Sequence, residues 1–244
     1  MDKSFTILIP SRIGSTRLKN KPLLDINGLT LIERVFKNSA DISNDTYIAT
    51  DSELILNHAK TFTQNVLMTS NEHISGTDRV FEAAENLNID DDTLIINLQG
   101  DEPFMPKDLV KQLVDDFYSN HCDVISACHP IKNLSDLDNP NCVKVLFDAG
   151  GYAISFKRQL KTINNPMRHI GIYGYHRDIL ERMTGAPVAV LERLERLEQL
   201  RAMSLGIPIW TLEAAQAPIG IDTPDDLEAA RKKFQELGDA AFPG

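Results

Sequence analysis

Cysteine is scarce in this chain, and the patterns that would give it work are missing. Cys122, Cys128 and Cys142 are odd in number and show no CxxC spacing, which excludes a disulfide framework and a zinc knuckle and leaves reduced, structural thiols as the expectation. Basic excess is lacking as well. A formal net charge of -10 denies the chain the broad cationic surface that nucleic acid requires, so no nucleic-acid partner is expected and small molecules are. No apolar run approaches membrane-spanning length, and the residues after Met1 enter a strand pattern without a signal-peptide core. The expectation is a cytoplasmic protein that does not insert into a membrane. Internal repeats and low-complexity tracts are absent, although Leu191 to Glu198 briefly imitates one. The spacing of Leu191, Leu194 and Leu197 is ordinary helix periodicity, and it predicts a solvated or dimer-facing helix.

With 42% hydrophobic residues in 244 positions, there is enough apolar material for one α/β domain, with or without a smaller appendage. Apolar runs at Phe5 to Ile9, Thr46 to Thr50, Asn65 to Met68, Thr93 to Leu98 and Asp123 to Ala127 predict strands. Amphipathic stretches at Leu31 to Ser39, Glu53 to Phe62, Asp78 to Leu87 and Lys107 to Tyr118 predict helices between them. This is the rhythm of a mainly parallel sheet covered on both faces. Thr30 with Glu33 reads as a capping box, and Thr223 followed by Pro224 opens the last helix. From Val143 the pattern changes to strand-like pieces with a polar turn at Lys161 to Pro166, and a long helix over Leu191 to Leu205 follows. Residues 143–205 therefore read as an inserted or appended subdomain.

The most informative junction follows the first strand: Pro-Ser-Arg-Ile-Gly-Ser-Thr-Arg-Leu-Lys-Asn-Lys-Pro-Leu, residues 10–23. A strand opening into a Gly/Ser loop with Arg12, Ser15, Arg17 and Lys21 sets cations and backbone donors at the carboxyl edge of a sheet, where open α/β folds bind ligands. Arginine forks and a mobile lysine charge suit a polyphosphate; a solvated basic turn is the alternative. Asp101 follows the apolar strand ending at Leu98, a position from which one carboxylate can hold Mg²⁺ against phosphates. Helix capping or a turn competes with that role, and more strongly so for Asp222, which precedes Thr-Pro. The loop His73-Ile-Ser75-Gly76-Thr77 leads into a helix and offers hydroxyls and N–H groups to ribose or phosphate oxygens. Asp51 closes a strand and reads as a possible cap, while Asp90 to Asp92 reads as a solvated loop. His169 and Tyr173 fall four apart in an extended stretch, so they share a face, as pocket lining or as core.

These segments, with Asn139 to Lys144 and Leu197 to Arg201, resemble in order the cytidylyltransferases that activate 3-deoxy-manno-octulosonate (Kdo) for lipopolysaccharide assembly. The resemblance covers nearly the whole chain. It implies a nucleotide-diphospho-sugar transferase, Rossmann-like α/β fold; a single domain over 1–244, with 143–205 as a sugar-binding and dimerisation part; CTP and a sugar acid as substrates; Mg²⁺; and a homodimer. It makes Arg12, Lys21 and Asp101 catalytic. Arg12, Ser15, Arg17, Lys21, Ser75, Gly76 and Gln99 become nucleotide contacts; His169, Tyr173, Glu198 and Gln199 the sugar pocket; Asp101 and Asp222 the metal ligands. The implied reaction is attack of the anomeric hydroxyl on the α-phosphorus of CTP, with pyrophosphate leaving. The chain departs from the family twice. Lys19-Asn20 stands where Pro-Gly is usual, and only nine residues separate Arg158 from Arg168, where members carry a longer Pro-Trp-Asp-Arg loop beside the sugar. In this it resembles the subgroup that takes 8-amino-3,8-dideoxy-manno-octulosonate. A glycosyltransferase would need an Asp-x-Asp motif that Gln99-Gly-Asp101 lacks, and a CMP-sialate synthetase usually carries Gly-Lys-Asn at 21–23. A CTP-sensing module would tolerate loss of Asp222.

Overall fold

The computed structural model describes residues 4–14, 17–160 and 165–238. Ser15 and part of the polar turn before Pro166 lie outside them. In chain order the elements are β1 (Phe5–Ser11), β2 (Asp25–Ile26), β3 (Leu29–Thr30), α1 (Leu31–Ala40), β4 (Thr46–Thr50), α2 (Glu53–Ala59), β5 (Val66–Met68), α3 (Gly76–Asn86), β6 (Leu94–Leu98) and α4 (Lys107–Asn120). Then follow β7 (Val124–Pro130), β8 (Lys144–Phe147), β9 (Ala153–Lys157), β10 (Met167–His176), α5 (Arg177–Thr184), α6 (Val190–Glu195), α7 (Gln199–Ser204), β11 (Ile209–Glu213) and α8 (Pro224–Leu237). No helix of the described residues is long and apolar enough to cross a membrane.

The central sheet runs β11-β7-β10-β6-β1-β4-β5, with the β8-β9 hairpin attached to β10. Pairings of β1 with β4 and β6, of β4 with β5 and of β7 with β11 are parallel, as the alternation of strands and helices predicts. One strand runs the other way. β10 pairs antiparallel with both β6 and β7, so its first residues arrive at the edge where its neighbours end. The segment 143–205 is thus divided: β10 lies in the central sheet, whereas β8, β9, α6 and α7 lie outside its row of seven strands.

Each central strand reads as an unbroken apolar run because both faces are covered. Ile7 and Ile9 of β1, with Ile96 and Leu98 of β6, join the core beneath α1 and α4. Leu8 and Ile95 turn the other way and pack with Val80 and Ala83 of α3. Burial of each such side chain contributes about 1.5–3 kcal/mol before the entropy of ordering the chain is subtracted. The cysteines are buried and free.

Two local expectations need correction. At the start of α1, Thr30 accepts from Glu33 N, but the Glu33 carboxylate pairs with Lys37 instead of completing a capping box. Leu191 to Leu205 is not one helix: α6 stops at Glu195, Arg196 takes a left-handed conformation with φ 54, and α7 begins at Gln199. Nine residues along a straight helix cover about 13.5 Å, yet Glu192 Oε1 and Arg201 Nη2 meet at 2.6 Å. The break makes that ion pair possible.

Gly174 of β10 is where the sheet leaves no room for a side chain: an added Cβ would lie 2.8 Å from Ile125 Cγ2 and 3.0 Å from Leu113 Cδ2. Gly174→Ala is expected to cost about 1–3 kcal/mol through overpacking. Urea unfolding checks this, and an unshifted midpoint would show that α4 can retreat freely.

Candidate functional site

The carboxyl ends of β1 and β6 and the entrance to α8 meet at one point, and charge holds them there. Lys21 opens the short 3₁₀ turn Lys21–Leu23, and its Nζ donates to Asp101 Oδ2 at 2.7 Å and to Asp222 Oδ1 at 2.9 Å. Burial pulls the Lys21 pKa down, but the two carboxylates outweigh it and leave it above the ordinary lysine value. Arg17 donates to Asp222 at 3.0 Å and to Asn141 at 3.1 Å. Arg12 is exposed and has no ion-pair partner among the described residues. Asn20, at the position of the usual glycine, is left-handed with φ 53; asparagine tolerates that geometry better than most residues, so the loop keeps its shape.

Helix capping and site chemistry are separated here. Thr223 and Asp226 cap α8 reciprocally, and Asp226 also accepts from Asp222 N, so the Asp222 carboxylate is free for the cations. Likewise the Ser75 hydroxyl accepts from Asp78 N and donates to Asp78 Oδ2. It is committed to capping α3. Gly76 lies where a Cβ would come within 3.4 Å of Pro10 and 3.6 Å of the Gln99 amide, and Gln99 is steadied by a bond to Asn97. Asp51, instead of capping, pairs with Arg79 at 2.7 Å. Asp91 pairs with Arg177, so the Asp90 to Asp92 loop is not simply solvated. Arg12, Arg17, Lys21, Ser75, Gly76, Gln99, Asp101 and Asp222 together line a cavity of about 330 Å³.

A second, larger cavity of about 910 Å³ shares Arg12, Ser75, Asp101 and Asp222 with the first and contains all four residues of the expected sugar pocket. A bulge in β10 between Ile170 and Tyr173 shifts the register, yet the His169 and Tyr173 rings still lie 5.6 Å apart. His169 Nε2 bonds the buried Ser126 hydroxyl at 2.9 Å. Burial, with help from the Arg168 charge, pushes its pKa down to about 3. Tyr173 donates to Gln199 Oε1 at 3.0 Å, and Gln199 Nε2 is buried without a partner. An unsatisfied buried donor of this kind is rare in a packed structure, and this one belongs to a residue of the cavity wall. Glu198 accepts from Thr77 N at 3.1 Å; burial raises its pKa, while the Thr77 bonds and Arg201 oppose the rise.

Three residues of this region escaped the sequence reading. Arg168 lines the larger cavity, half-buried and without an ion-pair partner among the described residues; its parity along the strand, opposite to His169, gave no hint. Glu102 carries a buried oxygen without a partner, and burial followed by the Asp101 charge raises its pKa to about 8. Asn141 reaches Arg17 across 124 positions of sequence, a contact no spacing reveals.

A mainly parallel sheet whose carboxyl edge gathers cations and carboxylates around two joined cavities defines a nucleotidyltransferase with the nucleotide-sugar transferase-like fold. The chain belongs to the cytidylyltransferase family, whose pattern matches residues 6–209. It is 39% identical to the 3-deoxy-manno-octulosonate cytidylyltransferase of Thermodesulfovibrio yellowstonii, over 92% of this chain and 96% of that protein. A solved CMP:2-keto-3-deoxy-manno-octonic acid synthetase complexed with CTP superposes with a TM-score of 0.87 at 35% identity, covering 96% of this chain and 99% of the other. A cytidylyltransferase from Leptospira borgpetersenii shares the fold at a TM-score of 0.67 and 17% identity, over 98% and 90% of the two chains.

The depressed pKa of His169 has a consequence for stability. Between about pH 6.5 and about pH 3 the unfolded chain binds a proton at this position that the native chain refuses, so this contribution to stability is complete above pH 6.5 and is lost as pH falls. His169→Gln should therefore lose less stability than the parent on acidification from about pH 7 to about pH 5. Urea unfolding at both pH values measures it, and parallel losses would place the His169 titration elsewhere.

Proposed function

We propose that the protein transfers CMP from CTP to the anomeric hydroxyl of a 3-deoxy-octulosonate sugar acid, the 8-amino-3,8-dideoxy-manno sugar in preference to Kdo, for lipopolysaccharide biosynthesis. The observation that carries the reading is the junction of the two cavities at Arg12, Asp101 and Asp222: one cavity has the cations for a triphosphate, the other the polar wall for a sugar. Arg12, Arg17 and Lys21 hold the phosphates, Gln99 and the Ser75-Gly76 backbone the nucleoside end. His169, Tyr173, Glu198 and Gln199 hold the sugar. The neutral imidazole of His169, braced by Ser126, presents a polar ring without adding charge, and the Gln199 Nε2 donor gains its missing acceptor. Arg168 supplies the charge that meets the acid's carboxylate, a reading supported by its half-buried place in the larger cavity beside His169.

The reaction is balanced without a covalent enzyme intermediate. The acceptor oxygen bonds to the α-phosphorus, the bond to the bridging oxygen breaks, and pyrophosphate departs, its charge met by Lys21 and the arginines. Asp101 and Asp222 suit Mg²⁺: they are drawn together by Lys21 at 2.7 and 2.9 Å, and both carboxylates stay partly open to the cavity on the side away from the ammonium. Two carboxylates suffice for Mg²⁺, which takes its other ligands from phosphates and water. Bound there, the ion would neutralise phosphoryl charge and lower the pKa of the attacking hydroxyl. The shortened segment between Arg158 and Arg168 supports the amino-sugar preference, since it removes a long loop and its arginine from the sugar side.

Incubation with CTP, Mg²⁺ and each sugar acid, followed by pyrophosphate assay, tests the activity, and no pyrophosphate with any acid would leave a CTP-binding module. Asp101→Asn is expected to fold and to lose at least about a hundredfold in turnover, equivalent to roughly 2.7 kcal/mol. Near-parental turnover would remove Asp101 from the chemistry.

The enzyme acts as a cytoplasmic homodimer in this reading. Its support is the exposed apolar face of α6: Val190, Leu191 and Leu194 are 69%, 57% and 74% exposed, a contiguous patch of the kind that marks an interface. Leu191→Glu with Leu194→Glu should shift sedimentation from dimer to monomer; a parent that already sediments as a monomer contradicts the assignment.

A further inference from the structure

A cationic amine at the distal end of the acceptor needs an anionic partner, since a desolvated ammonium without one is costly. Seven carboxylates line the larger cavity; five are committed, and a sixth, Glu102, has an unpartnered oxygen but sits at the reacting end. Asp101 and Asp222 take Lys21. Glu102 lies at that same end, its Oε1 3.3 Å from where a Cβ on Gly220 would stand. Glu192 pairs with Arg201 at 2.6 Å, Glu198 accepts from Thr77 N, and Asp226 caps α8. The seventh is Asp136, half-buried in the short 3₁₀ turn Leu134–Leu137, with no hydrogen bond or ion pair to its carboxylate among the described residues.

Its place is on the right side for a distal group. Asp101 and Asp222, which mark the reacting end, line both cavities, whereas Asp136 lines the larger one alone. The turn that carries it is fastened to the shortened segment: Leu160 N donates to Leu137 O at 3.2 Å, and Arg158 Nη1 donates to Pro140 O at 2.8 Å. Lys144 of β8, which feels the Asp136 charge, spends its ammonium on the carbonyls of Asn139, Cys142 and Arg158 and forms no ion pair with Asp136, which leaves the Asp136 carboxylate available. We propose that Asp136 is the specificity-determining residue that receives the distal ammonium of the acceptor, held at the cavity wall by the shortened Arg158–Leu160 connection. The inference rests on the amino-sugar reading above and assigns the partner that reading requires.

The test is kcat/KM for the 8-amino and the 8-hydroxy sugar acids, at fixed CTP and Mg²⁺, in the parent enzyme and in Asp136→Asn. The parent should favour the amino sugar by tenfold or more, about 1.4 kcal/mol. The variant should bring the ratio close to one mainly by losing the amino sugar, with KM for CTP within about twofold of the parent. Asp136→Ala replaces it if the asparagine variant fails to fold. A parent ratio at or below one overturns the amino-sugar reading and this inference with it. A parent preference that survives in the variant overturns only the assignment to Asp136, and so does an equal loss with both sugars, which identifies a structural role for the turn.

Discussion

The site depends on one electrostatic problem: two carboxylates, Asp101 and Asp222, face each other, and Lys21 holds them together. The lysine comes from the loop after β1, Asp101 from the end of β6, and Asp222 from the approach to α8, 80 and 201 positions away from Lys21 in sequence. Without a cation between them the two acids would repel, and no loop of this length would hold them in contact. The side chain of Lys21 is only 10% exposed, while both carboxylates remain partly open to solvent. A cation is thus fixed from below and a ligand has access from above. Removing one member of such a buried arrangement leaves its partners uncompensated, which is why its effect exceeds that of an exposed surface pair.

A second charge cluster performs the same service beside the larger cavity. Arg201 donates to Glu192 through Nε and Nη2 and to Asp78 through Nη1, nearly out of contact with solvent. Those acids belong to different parts of the site. Asp78 caps α3 together with Ser75, which lines both cavities, and Glu192 belongs to α6 and lines the larger one. One guanidinium therefore ties α3 to α6. The break at Arg196 is the backbone cost of that connection, for a left-handed residue without glycine is strained, and it turns Glu198 and Gln199 toward the cavity. Both cavities are framed by long-range ion pairs laid over the sheet, with buried polar atoms of Gln199 and Glu102 left unsatisfied.

Much of this was legible in the residues themselves. The strands β1, β4, β5, β6 and β7 and the helices from α1 to α4 follow from hydrophobic period and capping residues, which are local properties, whereas the two-residue strands β2 and β3 gave no such signal. Family resemblance supplied the sugar pocket of His169, Tyr173, Glu198 and Gln199, and the fold brings these into one cavity. The reading failed where the period stayed helical but a tertiary pair intervened, as at Leu191 to Leu205. It was silent on Arg168, because alternation along an extended segment assigns consecutive residues to opposite faces and does not anticipate the edge of a sheet, where both reach the same cavity.

The amino-acid sequence by itself determined the α/β class, the strand ends that carry Arg12 and Asp101, and the capping of α8, since each depends on residues a few positions apart. Only the tertiary structure decided that β10 runs antiparallel between β6 and β7, which carries Arg168 and His169 to the same edge as Asp101. It also decided that Asp51 pairs with Arg79 instead of capping a helix, and that Arg158 and Leu160 tie the end of β9 to the segment carrying Asp136. The physical reason is common to all three. Strand order and charge pairing are settled by which distant groups can be desolvated together at least cost, and that quantity is defined only once the whole chain has packed.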